Sequence, residues 1–201
     1  MTFREALADQ RWDDHRFYHH NRINQSLHLF SALSFLVSYA LIYSQPAVSV
    51  MVAWLFAMPS RQLGHFFFEP KGYDHANHAT HEYKEAVKVG YNLFRKVVLL
   101  SIWIASPLLL LVDPGLFGLL TPHADWRGVV DNVAMIWLGV AVGAVLFRTV
   151  QLFFIRDVQT GLVWCTKILT DPFHDVQLYC RAPLYVLRGE LFDPIVTEDA
   201  A

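Results

Sequence analysis

Charge is scarce in this chain. Only 17% of its 201 residues are Asp, Glu, Lys or Arg, against 54% hydrophobic, and the mean hydropathy is positive. That balance excludes an ordinary soluble domain of average composition. A basic excess is also lacking, since the net charge is −2, so the chain carries no electrostatic footprint for nucleic acid. Cysteine is limited to Cys165 and Cys180, fifteen positions apart, which excludes a disulfide framework and a thiolate zinc site and fits a reducing compartment. Neither Gly-x-Ser-x-Gly nor His-Glu-x-x-His occurs, so the common hydrolase signatures are missing. No repeat or low-complexity segment is visible. The first residues, MTFREALADQRWDDH, are polar and charged, unlike a cleaved signal peptide.

Long apolar runs are what the chain has. Four stand out: Leu29–Tyr43, Pro46–Met58, Val97–Val112 and Asn132–Ile155. The first two are separated by Ser44-Gln45, a tight hairpin. A straight span needs roughly 20 apolar residues, so the second must continue through RQLGHFFF, placing Arg61, Gln62 and His65 at an interface or in a protein-lined cavity. The expected fold is all-α, an integral membrane helical bundle of about four transmembrane helices in a single domain. Its parts would be an N-terminal cytoplasmic helix (1–28), a helical hairpin (29–58), a His-rich connection (59–96), a second pair of spans (97–155) and a tail (156–201). In the tail, Pro172 would break a helix, and RAPLYVLRGELFDP suits a segment lying on the membrane surface. A soluble bundle with buried hairpins is the alternative.

With four crossings, every one of the 16 Lys and Arg except Arg127 falls on one face. The positive-inside rule makes that face cytoplasmic, together with both termini. The histidines divide the same way although they did not set the orientation: of ten, only His123 falls on the far side.

The histidines form three clusters. In HRFYHHNRINQSLHLF (15–30), His20, Asn24 and His28 recur every four residues and would share a helix face, drifting about 40° per step; His15 and His19 have the same spacing. Neutral imidazole is the commonest transition-metal ligand, and Asn24 could orient one through its second ring nitrogen. In RQLGHFFFEP (61–70), His65 and Glu69 lie one turn apart, Gly64 permits a close approach, and Phe66–Phe68 give a lipid-like wall. In DHANHATHEYKEA (74–86), His75, His78 and His81 recur every three residues; on a helix His78 would face His81 and Glu82, and His81 would face Glu85, so two His and two Glu could form a metal face. Solvated interfacial helices or structural His–Glu pairs are the competing readings of each cluster. His174 could complete a site if the tail folds back. Arg148 and Gln151 in the fourth run would meet a substrate carboxylate or snorkel to headgroups. Imidazole with carboxylate suits Fe, Zn, Cu or Ni.

The stretch FYHHNRINQSLH resembles the N-terminal signature of the Mpo-type 2-hydroxy fatty acid dioxygenases, with Tyr18, His19, Asn24 and His28 at the matching positions and His20 forming the double His. Gln62, Gly64, His65 and Glu69 are similar to that family's second signature, Gln-x-x-Gly-His-x-x-x-Glu. The resemblance covers residues 15–70; the later spans agree only in hydropathy, and PKGYDHANHATHE departs from the pattern. It implies Fe(II)-dependent oxygenation of a 2-hydroxy fatty acid with O2, shortening the acid by one carbon. His19, His28 and His65 would bind iron, Glu69 would be a ligand or nearby base, Asn24 would orient a histidine, and Arg61 or Arg22 would pair with the substrate carboxylate. One iron is expected, or two if His75, His78 and His81 add a second. That second metal would move the chain toward histidine-rich di-iron lipid hydroxylases and desaturases. A non-enzymatic metal-binding membrane protein is the rival from another class.

Overall fold

A computed structural model describes residues 1–69, 72–74 and 77–194. Among these the chain is helical and contains no β-strand. Helix α1 (Phe3–Tyr18) opens with a capping box between Thr2 and Glu5. It stops at His19, and α2 (Arg22–Leu41) starts afresh because the Asn21 side chain accepts from the Ile23 and Asn24 amides, which fixes a new helix start. The opening histidine stretch is therefore two helices meeting at a corner, and not the single helix its spacing suggests.

The chain then turns at 42–45 and returns as α3 (Pro46–Val52) and α4 (Met58–Leu63), interrupted by π-helical turns at Ala53–Ala57 and Gly64–Phe68. Ser38 and Ser49 lock the hairpin through their hydroxyls at 2.9 Å. After the short α5 (His81–Val87) come α6 (Leu93–Ala105), α7 (Leu109–Val112), α8 (Trp126–Ile155), α9 (Val158–Tyr179) and α10 (Ala182–Leu187). Trp54, Trp103 and Trp137 tie the hairpin to α6 and α8. The first two stack at 5.1 Å, and the Trp54 indole donates to the Trp137 carbonyl at 3.0 Å.

Two stretches, Leu93–Val112 and Trp126–Ile155, are long and apolar enough to cross a membrane, and only 11% and 22% of their most apolar windows is buried. A soluble core helix would be covered; these are not. The first hairpin falls short of that measure. Its first arm carries Asn24, Gln25, His28, Ser31, Ser34 and Ser38, and its second arm carries Ser60, Arg61 and Gln62. Burial is inverted overall. The most enclosed side chains include Lys84, His19, His28, Gln25 and Asn24, while Leu111, Phe147 and Phe154 stand exposed.

The tail departs most from expectation. Pro172 lies inside α9 without ending it. Its ring removes one hydrogen bond, to the Ile168 carbonyl, yet is itself buried, so tertiary packing outweighs the local cost. Helix α9 packs along α2, α8 and α1, and α10, in the stretch expected to lie on a membrane surface, packs on α2. Every fourth residue of one face, Lys167, Asp171, Asp175 and Tyr179, is buried. Lys167 reaches Asp171 at 2.6 Å and Asp14 of α1 at 3.0 Å; Arg61 of α4 reaches Asp175 at 2.9 Å; Arg11 bonds Thr170 at 2.8 Å. These charges join three helices. Burial alone would push the Asp14 carboxyl up, but the Lys167 and Arg61 charges outweigh it and hold it well below the usual carboxylate range. Stability from this group is present above about pH 4 and is lost as pH falls through the lowered value. Replacing Lys167 with Met takes the nearest cation from Asp14 and leaves Asp171 with Arg11 at 3.4 Å and Arg61 at 3.8 Å. The expected loss is about 1–3 kcal/mol, read as a drop in thermal midpoint of detergent-purified protein.

Candidate metal centre

The corner between α1 and α2 places His19 against His28, and the second π-helical turn swings His65 onto both. All three are buried, with exposures of 1%, 0% and 6%. One ring nitrogen of each lies within 4.8 Å of the others. The partners of the remaining nitrogens fix the tautomers. His19 Nδ1 sits 2.8 Å from the Asp14 carbonyl, which can only accept, so Nδ1 carries the proton and Nε2 the lone pair. His65 Nδ1 sits 2.8 Å from Glu69 Oε2 and is read the same way. Glu69 is in turn held by Lys88 at 3.1 Å. These are the outer contacts expected behind imidazole ligands.

His28 is the informative member. Its Nε2 faces His19 Nε2 at 3.1 Å, while its Nδ1 has no hydrogen bond among the described residues and lies 3.8 Å from Asp175 Oδ2. Two imidazole lone pairs at that separation repel unless a proton or a cation lies between them. Cis nitrogen ligands on a metal at ~2.1 Å stand about 3 Å apart, which this pair matches. A metal would leave the His28 Nδ1–H to find Asp175. Burial, and then the neighbouring His28, drives the His19 imidazole well below its ordinary pKa. It is therefore neutral and available as a donor at pH 7. The three residues fit one ion bound by nitrogen, with further positions open.

Asn24 and Gly64 shape the corner. The Asn24 amide donates to the Tyr18 carbonyl at 2.9 Å, so it holds the interhelical turn and does not orient an imidazole. A Cβ on Gly64 would collide with Asn24 Oδ1 and come within 3.4 Å of the His28 ring; glycine is required here for close helix contact. Tyr179 closes the site, its hydroxyl 3.2 Å from His15 Nδ1 and its ring 5.9 Å from that of His19.

The other sequence candidates fall elsewhere. His20 is half-buried outside the triad, and no atom of the described residues bonds its Nε2. His78 is exposed at a left-handed position, φ 49°, because α5 begins only at His81, capped by Thr80. The helical face expected to carry His78 with His81 and Glu82 does not form. His81 lies beside Glu85 in a small cleft bordering Glu69. His75 lies outside the described residues. Among those described, one histidine triad meets metal geometry. His174 is half-buried on α9 outside that triad, and His123 lies in the 113–125 connection. Both arginines expected to await a substrate are committed: Arg61 to Asp175, and Arg22 to Asp193 at 3.0 Å while stacked on Tyr185. Arg148 instead clamps the Val89 and Gly90 carbonyls.

Beside the triad opens a cavity of about 640 Å3, within the usual range for small-molecule sites. Its polar end holds His65, Gln62 and Asp14; its other walls are Phe35, Trp54, Leu138 and Val142. Sequence reading found the triad but missed Asp14, Asp175 and Tyr179. The four-residue spacing of Lys167, Asp171, Asp175 and Tyr179 was the available signal.

Replacing His28 or His65 with Ala is expected to abolish metal retention measured by elemental analysis, and Glu69→Gln to weaken it about 10–100-fold. His20→Ala and His78→Ala should retain the wild-type metal content. Set against family models, curated proteins and solved structures, the chain finds no match in any of the three.

Proposed function

We propose that the protein is a membrane-embedded, iron-dependent oxygenase that shortens a 2-hydroxy fatty acid by one carbon. One observation carries the reading: a buried three-histidine site borders an amphipathic cavity whose far walls are hydrocarbon and aromatic. The resemblance of Tyr18, His19, Asn24 and His28, and of Gln62, Gly64, His65 and Glu69, to the signatures of Mpo-type dioxygenases supports it.

His19, His28 and His65 hold the iron, and bound iron supplies the activation of dioxygen. The chain's own residues do the remainder. Asp14 and Glu69 keep the Nδ1 protons of His19 and His65 in place, so the opposite nitrogens stay directed inward. Lys88 holds Glu69, and Tyr179 and the Tyr18 turn keep bulk water from the triad. Phe35, Trp54, Leu138 and Val142 take the alkyl chain, whose burial contributes about 0.8 kcal/mol per methylene. The overall reaction balances without an external reductant: RCH(OH)COOH and O2 give RCOOH, CO2 and water.

Four membrane crossings complete this reading. The exposed Leu93–Val112 and Trp126–Ile155 stretches face lipid. The first hairpin crosses with its polar residues turned to the interior, where a bilayer requires them to be satisfied within the protein. The distribution of Lys and Arg supports a cytoplasmic side for the triad.

Detergent-purified protein reconstituted with Fe(II) is expected to hold one iron per chain and to consume O2 on addition of 2-hydroxypalmitic acid, yielding pentadecanoic acid by mass spectrometry. Iron retention without O2 uptake, or tight zinc with no turnover, would refute the oxygenase and favour a metal-binding role.

A further inference from the structure

The cavity's polar end is rich in charge, and almost all of it is neutralised internally. Among the described residues, four cationic side chains line the cavity: Arg61, Lys88, Lys96 and Lys167. Arg61 pairs with Asp175 at 2.9 Å, Lys88 with Glu69 at 3.1 Å and Glu85 at 3.2 Å, and Lys167 with Asp14 and Asp171. The acids are likewise taken: Asp13 by Arg16 at 2.7 Å and Asp14 by Lys167. Lys96 is the exception. It projects from the first turn of α6, and none of the ion pairs formed within 4.0 Å by the described residues includes it.

Its position suits a ligand better than solvent. Lys96 lines the large cavity and also the small cleft that His65, Glu69 and Lys88 share. One turn further along α6, Leu99 joins the apolar wall of the same cavity. Lys96 therefore borders both spaces, as His65 and Lys88 do, with apolar Leu99 one turn away. Arg61, the sequence-level candidate for this work, is held by two aspartates and cannot accept a carboxylate without surrendering them.

We propose that Lys96 anchors the free carboxylate of an alkyl-chain acid, selecting unesterified fatty acids over esters and alcohols and setting the carbons next to the carboxylate beside His65. The alkyl tail runs from there past Leu99 toward Trp54, Leu138 and Val142. The choice of substrate class rests on the oxygenase reading; binding of the acid does not. A charge-assisted bond between ammonium and carboxylate is roughly twice as strong as a neutral one, so its loss should cost about tenfold or more in affinity.

The test is equilibrium binding of radiolabelled palmitic acid and of 1-hexadecanol to the detergent-purified full chain. Wild-type protein is expected to prefer the acid by about tenfold. Lys96→Met should erase that preference by weakening the acid while leaving the alcohol and the metal content unchanged, and Lys96→Arg should restore part of it. Equal binding of acid and alcohol by the wild type overturns the assignment, as does undiminished acid binding by Lys96→Met. Should Lys96→Met fail to fold, loss of the preference in Lys96→Gln supports the anchor and its persistence overturns it. Acid preference that survives in metal-free His65→Ala, with no O2 uptake by the iron-loaded wild type, would leave the anchor standing and remove the oxygenase.

Discussion

Three uncharged imidazoles pressed together out of reach of water are the condition on which the rest of the structure depends. His19, His28 and His65 come from a corner, a helix and a π-helical turn, and none is held by its neighbours in sequence alone. His19 and His65 are each kept by a partner outside the triad, and each of those partners is kept by another. Lys167 fixes Asp14, whose carbonyl fixes His19; Lys88 fixes Glu69, which fixes His65. Buried polar groups are costly unless every member is satisfied, so α9 and the Lys88 segment serve the triad as much as they serve the fold.

The distribution of burial follows from the same condition. The chain hides lysine, histidine and asparagine and presents much of its leucine and phenylalanine outward. That distribution fits two exposed helices long and apolar enough to cross a membrane. It accounts for the low charge content, since each interior charge must arrive with its counterion, as the Arg61–Asp175 and Lys167–Asp171 pairs do.

Much of this was legible in the residues. The helical class follows from the apolar runs. Spacing alone groups His28 with His20 and Asn24, and the triad follows from the resemblance of two motifs to a family's signatures. Glycine at 64 was legible for the same reason, though its partner, the Asn24 side chain, was not. What escaped was anything set by long-range contact. Asn21 looked like one more polar residue on a helix until its capping role divided α1 from α2. Pro172 looked like a terminator because the packing that rescues it lies on α2 and α1. The histidines of 74–86 suggested a face, but Thr80 starts the helix too late for His78 to join it.

The π-helical turns at Ala53–Ala57 and Gly64–Phe68 reach further than their ten residues. A wide turn holds about one residue more than an α-turn, and a surplus residue rotates everything downstream by about 100° around the axis. Trp54 and His65 sit on what reads as one continuous rod, yet Trp54 meets the tryptophans of α6 and α8 while His65 meets α1 and α2. The rod has been re-indexed between its structural face and its chemical face. Without the wide turns His65, eleven positions after Trp54, would fall within about 20° of the tryptophan's own face and away from α1 and α2.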